Sequence, residues 1–114
     1  MSFPNMLRIR QHFDAPTVED IPAAVSEEIT RLNLSTRVKP GQSVAVSVGS
    51  RGINNIALIT KSLVEELKAL GLEPFLVPAM GSHGGGIAEA QREIMREAGK
   101  RAHFAGYHQV PDRD

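Results

Sequence analysis

The sequence predicts an α/β protein: a small, mainly parallel sheet in a Rossmann-like, three-layer βαβαβα arrangement. Three observations point there. Short apolar or alternating runs alternate with stretches of helical period. The connections between them are brief and rich in glycine, proline and asparagine. Repeated strand–helix–strand order favours parallel strands joined by right-handed crossovers.

The first element is "MLRIRQHF", Met6 to Phe13. Leu7, Ile9 and Phe13 alternate with Arg8, Arg10 and His12, the pattern of a half-buried strand near a sheet edge, with His12 on the solvated face. "DIPAAVSEEITRLNL" then changes period. Ile21, Val25, Ile29 and Leu32 recur at helical spacing, Asp20 is the expected N-cap, and Pro22 is tolerated in the first turn. "KPGQ" (Lys39 to Gln42) reads as a turn.

"SVAVSVGS" (Ser43 to Ser50) is a valine-rich run of central-strand character. "NIALITKSLVEELKALG" sets Ile56, Ile59, Leu63, Leu67 and Leu70 along one helical face, with Asn54 or Asn55 as a cap and Gly71 as a left-handed terminator. "EPFLVPAM" is the third expected strand. "IAEAQREIMREAG" is the third helix, with Gly99 expected to close it. Met80 and Met95 are read as core filler. From residue 100 to 114 the pattern weakens, so the domain is expected to span 1–99, followed by a tail in which His103 and His108 are solvent-exposed.

Composition narrows the function classes. A chain of 114 residues suits one small domain burying roughly 65% of its unfolded surface. Thirteen basic residues balance thirteen acidic ones, which argues against a broad nucleic-acid-binding surface. With no cysteine there is no disulfide, thiolate metal site or cysteine nucleophile. The chain shows neither a signal-peptide core nor an apolar run of about 18 residues, so a soluble, cytoplasmic protein with no membrane partner is expected.

The chemistry concentrates in two loops. "GSRG" (Gly49 to Gly52) follows the second expected strand and "GSHGGG" (Gly81 to Gly86) follows the third, each before a helix. In a parallel sheet both leave at the carboxyl ends of the strands, the edge at which open α/β sheets bind ligands. Glycines expose main-chain N–H groups and helix N-termini favour anions. Ser50 and Ser82 add hydroxyls, Arg51 offers a fork for phosphate or carboxylate, and His83 can exchange a proton near neutral pH. Neither loop is a dinucleotide fingerprint or a Walker A sequence. Two tight turns beside a surface histidine would account for the same residues without any ligand.

At these residues the chain resembles a known family. "VAVSVGSRGINNI" with "GLEPFLVPAMGSHGGGIAEAQREI" looks like the N-terminal domain of lactate racemase-like proteins, which are nickel-pincer-nucleotide-dependent racemases and epimerases of 2-hydroxy acids. The resemblance covers most of the chain, from the first expected strand through the third helix. It implies cofactor binding by Gly49, Ser50, Arg51, Gly81, Ser82, Gly84 and Gly85. The family's Gly-Thr-His motif matches Gly81, Ser82 and His83, so the resemblance implies an acid/base role for His83. The aspartate that opens the family's first loop has no counterpart; Val48 and Gly49 occupy that region.

Family members continue into a second domain carrying the cofactor-linking lysine, a nickel-ligating histidine and the second catalytic histidine. The resemblance therefore implies half of an isomerase, with the C-terminal catalytic domain absent. Such a half is expected to be inactive alone, not to retain the nickel-pincer nucleotide by itself, and to supply no metal ligand. Its expected partners are a small hydroxy acid and either further copies of itself or a chain bringing the missing domain. Two other readings stay open: a non-enzymatic module binding phosphate or a nucleotide, and a domain that keeps the fold and no ligand.

Overall fold

A computed structural model describes residues 3–50 and 52–101. They form a small α/β unit of three α-helices and one two-stranded parallel sheet: α1 (Ile21–Arg31), β1 (Ser43–Val48), α2 (Ile56–Ala69), β2 (Glu73–Pro78) and α3 (Ala88–Arg101).

Local chemistry accounts for the ends of these elements. The Ala23 N–H donates to Asp20 Oδ1 at 3.0 Å, so Asp20 caps α1 as expected, and Pro22 lies in the first turn, where its missing N–H costs nothing. The turn before β1 is closed twice: Lys39 N–H donates to Gln42 Oε1 at 2.7 Å, and Gln42 N–H to the Lys39 carbonyl at 3.2 Å. Gly71, at φ 79°, ends α2 in the left-handed region. Asn55 stands at the N-cap of α2, but its side chain makes no capping bond; instead Asn54 Oδ1 accepts from Asn55 N–H at 3.1 Å.

β1 and β2 pair in register from Ser43↔Glu73 to Val48↔Pro78. Val46, Leu67 and Leu72 form the buried core, and Val44, Val48, Leu63, Leu70 and Leu76 pack against it. Valines 44, 46 and 48 thus turn one face of β1 to the core, while Ser43, Ala45 and Ser47 on the other face are exposed. Helix α2 is central, touching α1, β2 and α3. That position explains why its buried residues include Thr60 and Ser62 beside Val64 and Leu67. Each hydroxyl donates to the carbonyl four residues back, Thr60 Oγ1 to Ile56 at 2.8 Å and Ser62 Oγ to Leu58 at 3.0 Å, so neither is left unsatisfied. Met80 and Met95 are buried, as expected of core filler.

Two expectations are corrected. Met6–Phe13 forms no strand: residues 3–20 carry no regular secondary structure up to the cap of α1 and are exposed throughout. Alternation prepares a strand, but a strand exists only where a neighbour accepts its main-chain bonds. Gly99 does not close α3, which runs on to Arg101. A glycine inside a helix costs about 1 kcal/mol relative to alanine, which one position can bear. His12 is exposed, while His103, His108 and most of the expected tail lie outside the described residues.

Candidate functional site

The parallel pairing of β1 with β2 brings the two glycine-rich loops together. Ala79 N–H donates to the Val48 carbonyl at 2.8 Å, one residue past the last ladder pair, so both chains leave the sheet side by side. A Cβ added at Gly49 would lie 4.0 Å from the Ala79 carbonyl oxygen and 3.9 Å from Ile56 Cδ1, so the first loop runs beside the end of β2 and the start of α2. Gly49 and Ser50 are half-buried there. Arg51 lies outside the described residues. Gly49, Ser50, Gly81, Ser82, His83, Gly84 and Gly85 therefore all belong to loops leaving one edge.

The second loop is a run of left-handed backbone. Gly81 has φ 55°, and Gly84, Gly85 and Gly86 have φ 66°, 70° and 71°. Three consecutive residues in that region are costly for any residue with a Cβ, about 1–2 kcal/mol each. The tight turn His83–Gly86 is closed by Ile87 N–H donating to the Gly84 carbonyl at 3.3 Å, and His83 N–H donates back to Met80 at 3.0 Å. Gly84 meets a second demand. A Cβ there would sit 3.2 Å from Ala90 Cβ and 3.3 Å from Ile94 Cδ1, so its missing side chain lets the loop lie on α3. Gly81 and Gly86 face open space instead.

Gln91 is the residue that sequence reasoning missed. It is buried on α3, and its Nε2 donates to the carbonyls of Gly81 at 2.9 Å and His83 at 3.0 Å. Two carbonyl partners require the nitrogen, not the oxygen, of the amide to face the loop. One side chain thereby fixes the main chain on either side of Ser82. The signal was present: Gln91 follows Ile87 by four residues and precedes Met95 by four, a polar amide within an apolar stripe.

His83 itself is half-buried. Its Nδ1 is shielded from solvent and has no hydrogen-bond partner. A shielded nitrogen without a partner is uncommon, because the lost solvation is uncompensated. Gln91 holds the residue by its carbonyl, and the ring contributes no hydrogen bond through Nδ1.

Main-chain N–H groups in the loops, the hydroxyls of Ser50 and Ser82, and the first turn of α2, which lacks a side-chain cap, are suited to the phosphate end of a nucleotide. Donors of this kind are what an anionic ligand favours. The described residues contain no group of three or more histidine, aspartate or glutamate side chains able to hold a metal ion. An apolar groove of about 660 Å³ lies between α1 and α2, lined by Val18, Ile21, Val25, Ile29 and Leu63, and reaches Asn54 and Asn55 at the start of α2. Among the described residues no helix is long and apolar enough to cross a membrane.

Comparison with family models, with curated proteins and with solved structures finds no match to this chain.

Proposed function

We propose that this chain is the N-terminal half of a lactate racemase-like isomerase acting on 2-hydroxy acids, with the two glycine-rich loops holding the anionic end of a nickel-pincer nucleotide. The observation that carries the reading is the Val48↔Pro78 pairing, which sends Gly49–Ser50 and Gly81–Gly86 off the same sheet edge. In this reading the loop N–H groups, Ser50, Ser82 and Arg51 bind and orient phosphate. His83, its carbonyl pinned by Gln91, gives or takes the substrate proton. The nucleotide, when bound, supplies the hydride-accepting centre; the chemistry derived from this chain is confined to anion binding and proton transfer. The accompanying fold is Rossmann-like and three-layered, and the setting is cytoplasmic.

A non-enzymatic phosphate- or nucleotide-binding module is the second reading. The first turn of α2, free of any side-chain cap, favours it, since those N–H groups serve binding without turnover. Solvent deuterium incorporation at the α-carbon of a 2-hydroxy acid separates the two. The assay uses this chain together with its cofactor and a family C-terminal domain. The isomerase reading expects incorporation that His83→Ala abolishes while phosphate binding persists. Phosphate binding with no incorporation in the wild type supports the module, and incorporation that survives His83→Ala overturns the role of His83.

A further inference from the structure

The sheet has two edges, and the ladder shows that they differ. Glu73 N–H donates to the Gln42 carbonyl at 2.9 Å and Ala79 N–H to Val48 at 2.8 Å. Main-chain groups point to alternate sides along a strand, so residues 73, 75, 77 and 79 face β1, whereas Pro74, Leu76 and Pro78 face outward. Two of those three outward residues have no N–H to offer, and the β2 edge is closed to a further strand. On β1 the outward residues are Ser43, Ala45 and Ser47, each with a donor and an acceptor. That edge is open.

The same chain carries an unpaired strand-like segment. Leu7, Ile9 and Phe13 alternate with Arg8, Arg10 and His12, yet they are 88%, 81% and 77% exposed. The groove between α1 and α2 is also unfilled, and Leu63 lines it while packing against the core below β1. A strand added at the open edge with Leu7, Ile9 and Phe13 on the valine face of β1 would turn these side chains toward that groove. Its arginines would share the face of Ser43, Ala45 and Ser47, where small polar neighbours leave them in water.

We propose that Met6–Phe13 of one copy pairs in parallel with the β1 edge of a second copy, and that the exchange is reciprocal. Each copy holds one free strand and one open edge, so a two-fold dimer satisfies both. Thr17 and Val18 line the groove of their own copy, and in the exchange the segment before them would pair with the partner's β1 by strand addition. Ile9 shares the phase whose N–H groups point at β1 in a parallel ladder.

The test uses the full chain, and the absence of native cysteine makes cross-linking clean. Sedimentation at high micromolar concentration is expected to give twice the chain mass for the wild type and the single chain mass for Ile9→Pro, which removes a ladder donor from an exposed segment. Mixing an Arg10→Cys copy with an Ala45→Cys copy under oxidation is expected to give a covalent pair that Ile9→Pro abolishes. A monomeric wild type, a dimer that persists in Ile9→Pro, or failure of the mixed copies to cross-link overturns the exchange. So does a cross-link formed only within single chains of the Arg10→Cys, Ala45→Cys double variant, which would place the strand on its own sheet.

Discussion

Gln91 holds His83 by its main chain: the buried amide donates to the histidine carbonyl at 3.0 Å while also reaching Gly81 at 2.9 Å. Loop geometry is thus set from α3, and the imidazole is positioned without a bond to its ring. Replacing Gln91 by leucine leaves two carbonyls short of a donor and is expected to cost about 1–3 kcal/mol in urea unfolding. Gln91→Glu sharpens the test. A carboxylate facing two carbonyls is disfavoured, so its folded-state pKa rises above the unfolded value and the folded state binds the proton more tightly. That variant is expected to gain stability as pH falls through the raised pKa. A pH-independent loss would show that the amide's donors do not matter.

The glycines of the two loops should respond in opposite ways. Gly84→Ala places a Cβ against Ala90 and Ile94 at φ 66° and is expected to cost more than about 1 kcal/mol. Gly49→Ala meets only ordinary contacts at 3.9 and 4.0 Å and is expected to change stability by less than about 0.5 kcal/mol. Equal effects on the denaturation midpoint would contradict the packing role of Gly84.

Asp20→Ala removes the side-chain acceptor at the start of α1 and is expected to cost about 1 kcal/mol. Asp20→Asn keeps an oxygen there and should recover most of it. Thermal unfolding of both variants is the measurement.

Inorganic phosphate reports on the loop edge apart from any catalysis. Arg51→Ala is expected to weaken its binding by about 1.5–3 kcal/mol, about tenfold or more, if the guanidinium contacts the anion. Calorimetric titration showing unchanged affinity would remove Arg51 from the site.

His83→Ala separates fold from chemistry. Nδ1 has no partner to lose, so the expected stability change is within about 1 kcal/mol. Failure to fold would make the ring a structural element.

Most of the helices and both strands were legible because each carries its own signal. Asp20, Gly71 and the Lys39–Gln42 turn act through neighbours in sequence, and the valine alternation of β1 names its buried face. Met6–Phe13 was not legible as an unpaired segment, because alternation states which side a strand would bury and is silent about whether a neighbour exists. The burial of Thr60 and Ser62 depends on α2 lying between α1, the sheet and α3, which no single-helix pattern encodes. The loops were legible as a pair, but the duty of Gly84 toward Ala90 and Ile94 is a tertiary contact, as is the reach of Gln91 back across ten residues to Gly81.

The prolines of β2 limit how far molecules of this kind can associate. Open sheets become fibrils when every added strand offers a fresh template on its far side. Here Pro74 and Pro78 make the far side of β2 a poor template, so main-chain pairing can proceed outward from β1 alone. Polymerisation through both edges is blocked at the level of the main chain, independent of side-chain hydrophobicity. Replacing both prolines by valine would restore two outward donors, and such a chain should form thioflavin-positive aggregates under conditions where the wild type stays dispersed.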